Sequence, residues 1–250
     1  MGFPTQHTAA EVGPDLSEAF DLILDRRFSC RAFMPDPVPE RTVREILESA
    51  QKTASWCNTQ SWHVYMLTDA GTVERFRSGL LDAHDNDAPD WDIAPHAEYR
   101  GIFRERRREA GWKLYDAVGV ARGDRVASAR QARENFRLFG APHLAIIAYD
   151  RTHGSYGMAD CGAYVANFLS AASARGVATI AQAALVSRVA FIRNALKIAD
   201  EEALFCGISF GWPDEEHPAN SFRTQRAGLD TAVTFVGAGD LADPELDRKS

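Results

Sequence analysis

Residues 158–175 place Ala159, Gly162, Ala163, Ala166, Ser170, Ala171 and Ala172 among larger apolar side chains. At helical spacing this stretch is apolar around most of its circumference. A helix of that kind is buried against other elements or against another chain. Its small side chains let a neighbouring helix approach closely, and Gly176 stands where a left-handed C-cap is wanted. The chain must therefore fold around a tightly packed helix, and its other segments have to supply the walls.

Those walls read as both helices and strands. Asp15-Leu16-Ser17-Glu18 opens a capped helix that carries Phe20, Ile23 and Leu24 and ends near Arg26-Arg27. Pro35, Pro37 and Pro39 make residues 28–39 an extended loop. Val43, Ile46, Leu47, Ala50 and Ala54 then share one helical face. Residues 73–81 and 187–198 predict further helices, and 102–138 a highly charged helical stretch behind a loop at 84–101. Strands are expected at 62–68, 141–149, 177–181, 204–210 and 231–236. The alternation makes the class α/β or α+β.

With 250 residues, 45% hydrophobic and 25% charged, the composition is that of an ordinary globular chain. One domain is expected over 15–236, with an excursion at about 84–138, a loose arm at 1–14 and a tail at 237–250. No apolar run reaches the roughly 18–20 residues of a membrane helix. Residues 1–14 lack the basic and apolar regions of a signal peptide. Cys30, Cys57, Cys161 and Cys206 are scattered without a CxxC pair, so neither a disulfide framework nor a metal site is expected and a reducing cytoplasm fits. A net charge of -7 argues against nucleic-acid binding. Arg104, Arg106, Arg107 and Arg108, broken by Glu105 and Glu109, read as a solvated helix face or as a positive rim for anionic substrates.

Two motifs point elsewhere. Gly207-Ile208-Ser209-Phe210-Gly211 matches the GxSxG elbow of serine hydrolases, which needs a strand, a sharp turn and a helix. Pro213 and the polar residues behind it oppose that helix, and His217 is the one histidine downstream. Gly237-Ala238-Gly239-Asp240-Leu241-Ala242 matches GxGxxA, but too little chain follows for a dinucleotide-binding unit.

Three separated segments suit one job. Arg27-Phe28-Ser29-Cys30-Arg31-Ala32-Phe33 and Asn220-Ser221-Phe222-Arg223-Thr224-Gln225-Arg226 offer guanidinium and hydroxyl donors for a phosphate. Ala54-Ser55-Trp56-Cys57-Asn58-Thr59-Gln60-Ser61-Trp62 offers amides, which match the alternating donors and acceptors of a flavin's pyrimidine edge. In this order, with Gly207, Gly211 and Pro213 between, they resemble the nitroreductase flavoprotein family over about residues 15–236. Arg106-Arg107-Arg108-Glu109-Ala110-Gly111-Trp112-Lys113-Leu114-Tyr115 resembles its nitrobenzoate and dinitroaniline reductase branch. Ala54 and Ser61 stand where the family usually has prolines, and Trp56 is bulkier than usual.

The resemblance implies an α+β fold with a mostly antiparallel central sheet flanked by helices, an interlocked homodimer and bound FMN. It implies ping-pong, two-electron reduction of nitroaromatics by NADH or NADPH to nitroso and hydroxylamine products. Hydride passes through flavin N5, so no side chain is expected to act as nucleophile. By matching position, Arg27, Ser29 and Arg226 would hold the phosphate, with Phe28 and Cys30 of the same segment also at the cofactor. Arg31 would sit at the N1–C2=O edge. Ser55, Trp56, Asn58 and Gln60 would reach the cofactor, some from the partner subunit, and Ala181, Gln182 and Ala183 would pass N5. Trp112 and Tyr115, three apart on one helix face, are the candidates for holding a flat substrate. Reductive dehalogenation or ene reduction, a flavin-storage role, and a hydrolase built on Ser209 remain as alternatives.

Overall fold

The computed structural model describes residues 14–237. The elements in chain order are α1 (Pro14–Arg26), α2 (Glu40–Ala50), β1 (Trp62–Leu67), α3 (Ala70–Asn86), α4 (Gly101–Ala117), α5 (Arg125–Arg133), β2 (His143–Asp150), α6 (Gly154–Ser173), β3 (Ala178–Gln182), α7 (Val189–Leu196) and β4 (Glu202–Gly211). The four strands form one sheet in the order β1-β2-β4-β3, antiparallel at every pairing. Both the α+β class and the antiparallel sheet are as expected.

Strand side chains alternate between faces, so the sheet sorts its own core. Leu144, Ile146 and Leu204 face one cluster with Phe76 and Leu80 of α3 and Ile192 of α7. Ala145, Ile147, Ile208 and Phe210 face the other, with Ile46 of α2 and Tyr164 and Phe168 of α6. Gly207 belongs to this packing: a Cβ there would meet Leu185 Cδ1 at 2.5 Å. The first G of the GxSxG match therefore lets the Leu185 turn pack close against β4.

Four expectations need correction. First, α2 stops at Ala50, because Thr53 turns its hydroxyl onto the Ala50 carbonyl at 2.6 Å and closes the helix end; Ala54 lies beyond it. Second, α3 runs longer than 73–81, since the Asp69 side chain accepts the Thr72 amide and starts the helix at Ala70. Third, α6 buries Cys161, Tyr164, Val165, Phe168, Ala171 and Ala172, yet Ala159, Gly162, Ala163 and Ala166 remain open to solvent in the single chain. Fourth, residues 231–236 form no strand. A 3-10 turn, Leu229–Thr231, leads into irregular chain with Phe235 83% exposed. A strand exists through its hydrogen-bond ladder, and neither edge of this chain's sheet pairs with the segment. The GxGxxA match and most of both terminal segments lie outside the described residues.

Candidate functional site

The segment after α1 is held along the sheet before any ligand is considered. Cys30 N donates to Thr179 O of β3 at 3.0 Å, and Met34 N to Trp212 O at 2.9 Å just past β4. The Cys30 thiol points inward, fully buried, donates to Ala32 O and is pushed up to about 11, chiefly by burial. Cys30 therefore presents backbone, and the side chains flanking it face outward.

Asn220, 4% exposed, staples the third segment to the first. Its Oδ1 accepts Arg31 N at 2.7 Å, and its Nδ2 donates to Ala32 O at 2.9 Å and to Asp214 O at 2.8 Å. The two segments then exchange cation–π contacts. Arg223 lies 3.8 Å over the Phe28 ring, and Arg31 lies 5.9 Å over Phe222. Between them opens a cleft of about 740 Å³ lined by Arg27, Phe28, Ser29, Arg31, Phe222, Arg223, Thr224 and Arg226, among others. Its four arginines face one carboxylate, Asp25. Burial, and then the charge of Arg226, pull the Arg27 guanidinium below its ordinary value; burial does the same to Arg31. Four guanidinium groups against a single carboxylate leave an excess of positive charge, which is a site for an anion.

The amide segment is a separate loop. Cys57, Asn58 and Gln60 all have left-handed φ, at 49°, 57° and 49°. Ser55 ties the loop internally, its Oγ accepting Gln60 N at 2.9 Å. Gln60 Nε2 donates to Asn58 O at 3.2 Å. Asp160 of α6, 7% exposed, accepts Trp56 N at 3.0 Å and the Ser61 hydroxyl at 3.4 Å. The Trp56 ring stacks on Tyr156 at 4.5 Å. None of Ser55, Trp56, Asn58 or Gln60 lines the arginine cleft.

At the end of β3, Ala181 and Ala183 are exposed while Gln182 turns inward. Gln182 Oε1 accepts Ser209 Oγ at 2.6 Å, and its Nε2 donates to Asn135 O at 3.0 Å. Ser209 is fully buried within β4. It is a strand residue held by an amide, with no elbow, no histidine against it and no access for an ester, so the hydrolase reading falls.

The excursion folds as α4 and α5. Trp112 and Tyr115 are half-buried, edge to face at 5.9 Å, with Arg122 lying 4.8 Å over the indole. Neither lines the arginine cleft; Ala110 of α4 does. Arg104, Arg106, Arg107 and Arg108 are exposed. Arg106 also lines an adjoining cleft of about 550 Å³ shared with Thr224 and Arg226. Among the described residues, no group of His, Cys, Asp or Glu could hold a metal, and no helix is long and apolar enough to cross a membrane. Reasoning from sequence missed Arg223, Asn220 and Asp160. Arg223 was legible as a second guanidinium three residues before Arg226, whereas nothing local marks the other two.

The nitroreductase family profile matches residues 24–212. The nitroreductase NfnB of Mycolicibacterium smegmatis is 34% identical over 94% of this chain and 99% of its own. A 4-nitrobenzoate reductase of Pseudomonas putida is 30% identical over 89% and 97%. The crystal structure of the FMN-dependent nitroreductase NfnB from Mycobacterium smegmatis in complex with NADPH superposes with a TM-score of 0.85 at 32% identity, covering 89% of this chain and all of that one. Relatives thus match the chain along nearly its whole length, and the chain belongs to the nitroreductase family.

Proposed function

We propose that this chain is an FMN-dependent NAD(P)H oxidoreductase that reduces nitroaromatic compounds by two electrons to nitroso and hydroxylamine products, working as a homodimer. The observation that carries this reading is the like-charged pair Arg27 and Arg226 in the four-arginine cleft. A phosphomonoester fits that donor set, because it brings the missing charge and accepts several guanidinium hydrogen bonds at once. Relatives named as FMN- and NADPH-dependent nitroreductases support the same assignment.

When bound, FMN supplies the centre that exchanges hydride with NAD(P)H and with the nitro compound. The chain's own groups bind and orient it. Arg27, Ser29 and Arg226 hold the phosphate, and Asn220 keeps their two segments in register. Arg31, in the same cleft, would offer a fixed cation to the flavin's pyrimidine edge. Asn58 and Gln60 offer amides to that same edge, and Ala181 and Ala183 leave the β3 backbone unshielded by side chains. Trp112 and Tyr115 would form an aromatic wall of the substrate site, set on a helix whose Ala110 borders the cleft. The α4 arginines favour the phosphates of NADPH or an anionic nitroarene.

Three features support the dimer. The outward face of α6 carries small side chains, α1 exposes Leu16, Phe20 and Leu24, and Phe235 and Val236 stand open near the end of the described chain. Together they exceed the isolated apolar residues a monomer normally shows. The amide loop's absence from its own chain's arginine cleft suits service to a flavin at the subunit boundary. Residues 15–236 are taken as one functional unit with 84–138 as its excursion. Four free cysteines suit the cytoplasm. The deciding experiment is the visible spectrum of the purified protein, followed by NADPH oxidation with a nitroarene. Flavin bands and nitroarene-dependent turnover are expected; a protein that stays colourless through FMN titration rejects the reading.

A further inference from the structure

The loop carrying Asn58 and Gln60 does not hold itself. Cys57, Asn58 and Gln60 occupy the left-handed region, which L side chains other than Asn rarely adopt. Such a conformation persists where the surroundings over-determine it. The internal bonds of the loop, Asn58 N to Ser55 O at 3.1 Å and Thr59 N to Trp56 O at 3.0 Å, shape the turn but do not attach it to the body. Attachment comes from two sides: Gln51, just past α2, donates through Nε2 to Gln60 Oε1 at 3.2 Å, and α6 holds the residues that flank the left-handed ones. The Asp160 carboxylate takes the Trp56 amide with Oδ1 and the Ser61 hydroxyl with Oδ2, so it grips the loop on both sides of the strained residues. One helical turn earlier, Tyr156 supports the Trp56 ring. A buried carboxylate held by the neutral donors of Trp56 and Ser61 is an expensive group to keep for stability alone.

We propose that Asp160 is a positioning residue for the flavin reaction: by clamping Trp56 and Ser61 it fixes the angle at which Asn58 and Gln60 present their amides to the cofactor. This rests on the reading above that the amide loop serves FMN. Asp160 does not line the arginine cleft, and it acts through its bonds to Trp56 and Ser61.

The test compares Asp160→Ala, Asp160→Asn, Ser61→Ala and Asn58→Ala in the holoprotein. FMN affinity is read from flavin fluorescence on dilution, Trp56 amide protection from hydrogen exchange, and kcat and KM with NADPH and a nitroarene. Asp160→Ala is expected to weaken FMN binding about tenfold or more, the loss of one charge-assisted hydrogen bond, and to expose the Trp56 amide to exchange. Asp160→Asn keeps an acceptor for Trp56 N and offers a donor to the Ser61 oxygen, so it should recover affinity to within about threefold of the original. Ser61→Ala, which breaks one contact and keeps the carboxylate, should fall between, and it carries the test if Asp160→Ala fails to fold. Asn58→Ala must itself weaken binding. If it does while Asp160→Ala and Ser61→Ala leave affinity unchanged, Asp160 is a structural residue and the proposal is overturned. Equal defects in Asp160→Asn and Asp160→Ala overturn the hydrogen-bond clamp in favour of charge. If Asn58→Ala has no effect, the loop itself leaves the flavin site and the role of Asp160 falls with it, a failure of the underlying reading that the other variants cannot mimic.

Discussion

The Arg31 amide donates to the Asn220 side-chain oxygen at 2.7 Å across 189 residues of sequence. That bond, with the two that Asn220 makes to the Ala32 and Asp214 carbonyls, decides where the cleft cations stand. Asn220→Ala leaves the Arg31 amide without its acceptor and removes one of the donors to each of the Ala32 and Asp214 carbonyls. It should lower the unfolding free energy by about 1–3 kcal/mol and weaken FMN binding as Arg31 and Arg223 lose their register. Urea unfolding of the FMN-free protein, beside FMN titration, separates the two effects; unchanged affinity would detach Asn220 from the site.

Arg226→Ala should act with opposite signs on binding and on the empty fold. FMN affinity should fall by about 1.5–3 kcal/mol, the range for hydrogen bonds to charged groups. The melting temperature of the FMN-free protein should hold or rise, because the repulsion on Arg27 is removed. An unaltered dissociation constant removes Arg226 from the phosphate site.

His143 gives a pH signature. Its Nε2 accepts Val38 N at 2.8 Å, which needs the neutral ring, and burial holds its pKa below the ordinary 6.5. A folded-state value below the unfolded one means that the unfolded chain binds the proton first. The stabilisation is therefore complete above pH 6.5 and is lost as pH falls through the lower folded value. His84, also lowered by burial and by Arg188, contributes in the same window. His143→Gln should flatten the acid limb of stability against pH; an identical slope in the variant would refute the assignment.

Trp112→Ala discriminates pocket from packing. The indole sits between Tyr115 and Arg122 and is half-buried. Truncation should cost about 2 kcal/mol, less than the 3–5 of a fully buried aromatic. If Trp112 also walls the substrate site, the ratio of kcat/KM between two nitroarenes shifts at constant FMN content. Lost stability with an unchanged ratio leaves it as packing.

Phe20→Asp tests the dimer. Phe20 is 57% exposed on α1. A charge there should give a monomer by sedimentation that also loses FMN. A variant that stays dimeric takes α1 out of the interface, and a monomer that retains FMN separates flavin binding from association.

What the chain made legible on its own is whatever depends on neighbours in sequence. The periodicities behind α2, α6, β2 and β4 mark their elements, because side-chain spacing along a helix or strand is a local property. Arg27, Ser29, Arg31 and Arg226 could be singled out by chemical type and order, and the structure gathers all four around one cleft. Tertiary structure decided the rest. Asn220 and Asp160 look like ordinary polar residues until folding sets them against Arg31 and Trp56. Ser209 carries a hydrolase motif in sequence but lies sealed in β4 with Gln182 on its hydroxyl. Residues 231–236 have the composition of a strand and no ladder to join in this chain, and α6 is apolar on both faces while the single chain covers one. Hydrogen-bond partners and packing surfaces are chosen among groups far apart in the chain, and no local pattern encodes which of them will meet.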